Sequence, residues 1–166
     1  MKRIAYLRRS GDSPTLVTMN KNESPILFLS ITRLRLRRFR HLPEFLKLTN
    51  ASAEQARQSD GLVSGATIVD GPLTYLTITL WKNQKAMQHF LGSGAHLRAM
   101  PRLRFLCSEA ATTHLDWNQN HLPNAQETLM ILARHPKFTS LQTPSPQHQS
   151  KTLPKKPFLW LQNRIK

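Results

Sequence analysis

His96 stands just beyond Gly92-Ser93-Gly94, which interrupts a helical pattern, and one helical turn before Met100. Imidazole titrates nearest neutral pH among side chains, so a histidine beside a cavity is a candidate general base. Groups suited to binding oxygen-bearing or aromatic ligands surround it in the sequence. Tyr75, Thr77, Thr79 and Trp81 alternate along one strand, Phe90 precedes the helix break, and His114 alternates on a later strand. Arg33 belongs to the alternating Arg33, Arg35, Arg37 set and has two open readings, a solvated rim or an anchor for substrate. His96 also has two: a base, or a structural residue that hydrogen-bonds across the break. His41 and His89 fall on positions expected to face solvent.

Some chemistries drop out on residue types alone. The chain has no paired carboxylates, no metal-ligand spacing and no phosphate-binding glycine loop. Cys107 is the only cysteine, which excludes an internal disulfide and a cysteine zinc site. No apolar run reaches the length of a membrane span, and a soluble, cytoplasmic protein is expected. Residues 1–22 are basic, with apolar stretches too short for a secretory core. An organelle transit peptide and a true start at Met19 both stay open there.

A net charge of +15 on 166 residues suggests polyanion binding until it is divided along the chain. Residues 1–25 contribute +3, residues 26–118 contribute +6 and residues 119–166 another +6. More than half the excess thus lies in terminal segments rich in Lys, Pro, Ser and Gln, which bury too little surface to offset chain entropy. No specific nucleic-acid partner is expected for the folded part.

The segments that must position the candidate residues alternate in type. Strand one runs from about Ile26 to Leu36 and changes phase near Leu34, as a bulge would cause. A helix opened by Pro43 carries a stripe of Leu42, Phe45, Leu46, Thr49, Ala53 and Ala56, and Gly61 ends it. Leu62–Val69 and Leu73–Trp81 are strands joined at Asp70-Gly71-Pro72. In the second of these, Thr74, Leu76, Ile78 and Leu80 are expected under the helices. Tyr75, Thr77 and Thr79 are then expected on a face left for a ligand or a partner sheet. A helix capped by Asn83 breaks at Gly92–Gly94, resumes, and meets a further kink or restart at Pro101 before the strand Ser108–Trp117. The order is βαββαβ, the ferredoxin-like plan, in an α+β class. One more helix follows Pro123 and stops at Pro136.

Four regions are expected: a disordered or mis-annotated N-terminal extension (1–22), a ferredoxin-like α+β barrel domain (23–118), an appended helix with a Pro-rich segment (119–146), and a basic disordered tail (147–166). Within the tail, Phe158-Leu159-Trp160-Leu161 is an apolar knot.

Five stretches together resemble the antibiotic-biosynthesis-monooxygenase-like family, in an uncharacterised bacterial branch. They are Ile31-Thr32-Arg33-Leu34-Arg35, Leu42-Pro43-Glu44-Phe45-Leu46, Leu76-Thr77-Ile78-Thr79-Leu80-Trp81, Ser93-Gly94-Ala95-His96 and Ala99-Met100-Pro101. The resemblance implies a dimeric α+β barrel in which the sheets of a homodimer pair and each protomer encloses a pocket. It implies oxidation of a small aromatic or isoprenoid, quinol-like molecule by O₂ with no metal and no cofactor. His96 is then the base that deprotonates a phenol. Tyr75, Thr77 and Thr79 bind substrate oxygens, and Trp81, Phe90, Met100, Arg33 and His114 complete the binding set. A haem-degrading branch of the family needs Asn, Trp and His where this chain has Thr32, Phe90 and Met100.

The alternative is a non-catalytic dimeric small-molecule-binding or interaction module of the same fold. An RNA-recognition domain shares the element order, but its third strand needs paired aromatics, and Gly71 to Ile78 offers only Tyr75.

Overall fold

A computed structural model describes residues 25–154 and 161–165. The elements are β1 (Leu27–Leu36), a 3₁₀ turn (Phe39–His41), α1 (Leu42–Gln58), β2 (Leu62–Val69) and β3 (Thr74–Trp81), followed by α2 (Gln84–Leu91), α3 (Gly94–Leu106) and β4 (Cys107–Trp117). After these come α4 (Ala125–Arg134), β5 (Lys137–Phe138), α5 (Pro146–Gln149) and β6 (Leu161–Arg164). Strand order in the sheet is β5-β4-β1-β3-β2-β6, with every pairing antiparallel. The inner four strands and α1–α3 make the expected ferredoxin-like α+β unit.

Local signals account for the boundaries. The Asn83 side chain accepts the Ala86 N–H and starts α2, and Asn124 does the same for Glu127 at α4. Gly61, at φ +90°, turns the chain out of α1. The phase change in β1 is a register shift against β4 between Arg35 and Leu36. Pro101 causes no restart, because α3 runs unbroken through it to Leu106. Leu46, expected in the buried stripe of α1, is 42% exposed.

Side-chain alternation divides the sheet into two faces, and both are covered by the chain itself. On one face Leu29, Ile31, Leu76, Ile78 and Leu80 pack with Ala125, Leu129 and Leu132 of α4. On the other, Phe28 and Trp81 pack with Met87 and Phe90 of α2, while Leu36 packs with Phe45, Ala99 and Leu103. This reverses one expectation. The aliphatic set of β3 lies under α4, and the face with Tyr75, Thr77 and Thr79 lies under α1–α3, not open to a twin's sheet.

The C-terminal part is more ordered than its composition suggests. β5 pairs with β4 through Lys137 and Phe138. His148, buried on α5, accepts the Ala110 N–H at Nδ1 (3.4 Å) and donates from Nε2 to the Thr139 carbonyl (3.0 Å). β6 pairs with β2, from Ala66↔Arg164 to Val69↔Leu161. Within the stretch expected to be a disordered tail, the described residues thus include most of α5 and all of β6. Residues 1–22, with the start at Met19, and Phe158 to Trp160 of the apolar knot lie outside the described residues. No helix among the described residues is long and apolar enough to cross a membrane.

If α4 is integral to the core, Leu129→Ala should cost about 2–5 kcal/mol in denaturant unfolding, as for other buried leucines. An unchanged transition midpoint would show that α4 adds nothing to that face.

Candidate functional site

Register assembles the helix-covered face row by row. Phe28 lies opposite Trp81, and Ser30 lies between His114 and Thr79. Thr32 lies between Thr112 and Thr77, and Thr77 in turn lies opposite Thr67. Leu34 lies opposite Tyr75. Directly opposed side chains sit about 5 Å apart, so Thr67, Thr77, Thr32 and Thr112 form one hydroxyl line across four strands. All four are half-buried, and the hydroxyls of Thr32, Thr67 and Thr77 make no hydrogen bond among the described residues.

Aromatic groups close both ends of this floor. At one end Trp81 is fully buried and donates its indole N–H to Thr79 Oγ1 at 2.9 Å. Phe90 stacks on Trp81 with ring centroids 5.1 Å apart, and His96 leans on Phe90 at 4.7 Å. At the other end Tyr75 packs on Phe45 at 4.8 Å, with Met100 against the same cluster. Burial raises the Tyr75 pKa, which keeps its phenol protonated.

Gln55 of α1 holds His96 in place. Its Oε1 accepts the His96 backbone N–H at 2.8 Å, and its Nε2 lies 3.2 Å from both the Phe90 and the Ser93 carbonyls. The close approach requires Gly94, because a Cβ there would lie 2.6 Å from Gln55 Oε1 and the backbone has φ +55°. His96 Nδ1 lies 3.2 Å from the Leu91 carbonyl. A carbonyl can only accept, so Nδ1 carries the proton and Nε2 keeps its lone pair. Burial lowers the His96 pKa, the Leu91 hydrogen bond opposing it only in part, so the ring is neutral near pH 7.

Tyr75, Thr77, Thr79 and Trp81 thus share one face, and Phe90 links them to His96. His114 stands exposed at the rim of the same face, 6.5 Å from Phe28 between ring centroids. Its pKa is lowered by burial of part of the ring and then by the Lys137 charge. Arg33 does not join the others. It lies on the α4 face, with Nη1 2.7 Å from Glu109 Oε2 and Nε 3.2 Å from Asp70 Oδ2. All three side chains are under a tenth exposed, so this arginine serves a buried ion network. His41, expected in solvent, is buried beside Phe105. Cys107 is buried too, its thiol pushed up to about 12 by desolvation, and is inert as a nucleophile.

Gln55, Thr32, Thr67 and Thr112 are the site residues that sequence reasoning missed. The three threonines were within reach, since pairing β1–β3 and β2–β3 in register puts Thr32 and Thr67 beside Thr77, and pairing β1–β4 puts Thr112 beside Thr32. Gln55 left no signal, because a polar residue on a half-exposed helix has no distinguishing pattern. Two adjoining shallow pockets, of about 140 and 230 Å³, lie at the β4 edge beside His114 and His135, and the smaller one reaches the hydroxyl line at Thr112. No group of three His, Cys, Asp or Glu among the described residues is placed to hold a metal ion.

No family model and no curated protein matches the chain. Solved structures do. NE2512, a protein of unknown function from Nitrosomonas europaea, aligns at 14% identity over 61% of this chain and 98% of its own, with TM-score 0.51. A conserved protein from Methanosarcina mazei aligns at 14% identity over 56% and 94%, with TM-score 0.50. Both show that the α+β fold is a recurring one. SnoaB, a cofactor-independent oxygenase from Streptomyces nogalater, aligns at 20% identity over 60% and 99%, with TM-score 0.48. Identities this low establish fold alone.

Two stability measurements test the packing around the site. Thr79→Val should destabilise the protein by about 1–3 kcal/mol, because it strands the buried Trp81 N–H, and an unchanged melting temperature would refute that bond. Burial pushes the Glu109 carboxyl up, but hydrogen bonds and charge from Arg33 and Arg35 outweigh it and hold its pKa below the usual value. Its contribution is therefore complete above the unfolded value of about 4.3 and is lost as pH falls through the folded pKa. The stability gap between wild type and Glu109→Gln should be full at pH 7 and shrink below about pH 4, as followed by urea unfolding.

Proposed function

We propose that the helix-covered face binds a small aromatic or isoprenoid, quinol-like molecule and oxidises it with O₂, as a cofactor-independent monooxygenase does. The observation that carries the proposal is the line of threonine hydroxyls between two aromatic ends, in which those of Thr32, Thr67 and Thr77 have no hydrogen-bond partner among the described residues. Half-buried hydroxyls without partners are suited to bind ligand oxygens, and the flanking rings are suited to pack against an aromatic ring. His96 supplies the base. Its Nε2 lone pair takes the phenol proton, and the phenolate is electron-rich enough to react with O₂. One oxygen atom enters the ring, replacing hydrogen, and the other leaves as water with the two hydrogens removed. The product is a quinone, and His96 returns its proton to the departing oxygen.

Incorporation of one ¹⁸O atom from labelled O₂ into a quinone product, followed by mass spectrometry over a panel of hydroxynaphthalenes and anthrones, tests the reaction. His96→Ala should lower turnover by about 10²–10⁴ with little change in melting temperature. The wild-type rate should fall at acid pH through a pKa below about 6.5, because only the neutral ring is a base.

A second reading, a non-catalytic binding module, is favoured by one feature. The amide and ring of His96 both tie the α2–α3 break, to Gln55 and to Leu91. On that reading His96→Ala lowers the melting temperature, and no member of the panel is turned over.

A further inference from the structure

Where β1 leaves the sheet, the chain presents Arg37, Arg38, Phe39 and Arg40 in succession. Phe39, on the 3₁₀ turn, is 66% exposed, an unusual position for a phenylalanine ring. Arg38 and Arg40 flank it, also exposed, and neither guanidinium makes an ion pair or hydrogen bond among the described residues. Arg37 lies 4.9 Å over the Phe105 ring, which Arg102 covers at 5.6 Å. The Nε of Arg37 is buried with no hydrogen-bond partner. Arg104 is exposed nearby and donates to the Ser140 carbonyl of the loop that Arg37 also holds, through Thr143. Glu44 is committed to Arg102. His41 registers the local excess of charge. Burial lowers its pKa first, then the charges of Arg37, Arg40 and Arg38 in turn.

We propose that this corner binds single-stranded nucleic acid without sequence preference, stacking a base on Phe39 and holding flanking phosphates with Arg37, Arg38, Arg40 and Arg104. Guanidinium groups match phosphate oxygens in paired hydrogen bonds, and an exposed ring between cations is the platform on which unpaired bases stack. A duplex keeps its base faces hidden and cannot use that ring. An anionic membrane is the weaker fit. Phe39 is the one exposed apolar side chain between Arg37 and His41, and a single small apolar anchor holds a protein to a bilayer only marginally.

The experiment uses the full chain and fluorescence anisotropy with labelled oligouridylate and oligothymidylate over a range of salt. The net positive charge of the terminal segments attracts any polyanion, so the informative comparison keeps net charge constant. Phe39→Ala should weaken binding by about tenfold with an unchanged salt slope and melting temperature. Arg38→Gln with Arg40→Gln should weaken it and reduce the salt slope by about 1.4, near 0.7 for each phosphate no longer neutralised. Equal weakening on both oligonucleotides points to phosphate and base, and weakening on RNA alone adds a 2′-hydroxyl contact. Wild-type affinity in Phe39→Ala would overturn the proposal, leaving the termini as the binding element. Phosphatidylserine vesicles that bind the wild type where oligonucleotides do not would overturn it in favour of a membrane.

Discussion

The central strands of this sheet have no solvent side, and that constraint shapes the rest of the molecule. Along β1, Leu29 and Ile31 are completely buried on one face, while Phe28 and Ser30 are nearly so on the other. A strand of this kind needs two covers. α1, α2 and α3 supply one, and α4 with the segment leading through Leu153 supplies the other. The second cover also encloses charge. Arg33 meets Asp70 and Glu109 there, Arg35 shares Glu109, and the Ser145 hydroxyl donates to the same carboxylate. Burying an unpaired guanidinium would cost several kcal/mol, so the carboxylates on β4 and at the end of β2 are conditions of the fold.

The candidate site follows from the same division. Because α4 takes the aliphatic face, the hydroxyl and aromatic side chains of β3 are left to α1–α3, and these helices reach them unevenly. They pack tightly on Trp81 and on Leu36 and leave the threonine line between only half-buried. Gln55 then ties α1 to both sides of the α2–α3 break, which sets the direction of the His96 ring. The Leu91 carbonyl, beside that break, then fixes which imidazole nitrogen is free.

Element order was legible in the sequence because alternation and capping are local properties. β3 shows its period within a single strand, and Asn83, Gly61 and Pro43 mark ends by their own conformational preferences. Which face each set covers was not legible, because period 2 distinguishes two sides without saying which helix covers either. That is why Tyr75, Thr77 and Thr79 were assigned to an open face and Arg33 was placed with them. Within the site, the residues on β3 and the helix break were visible from type and spacing. Their relation to Thr67 and Thr32 depends on inter-strand register, and the role of Gln55 depends on a contact between helices 41 positions apart in the chain. His148 was hidden by composition. A Pro- and Gln-rich stretch reads as disordered, yet one imidazole with two backbone partners fixes it to the edge of β4.

A cover that belongs to the same chain is held near its binding face by a short connection. Such a tether makes the local concentration of α4 on the order of millimolar, whatever the amount of protein in solution. Closure of the aliphatic face is then a unimolecular event, and its contribution to stability is the same in a dilute sample as in a concentrated one. The short run from Asn118 to Ala125 also leaves no slack for α4 to visit a neighbouring molecule without opening its own core. Exchange of that helix between copies is coupled to exposure of Leu29, Ile31 and Ile78, a kinetic barrier against entanglement that is built into the length of one loop.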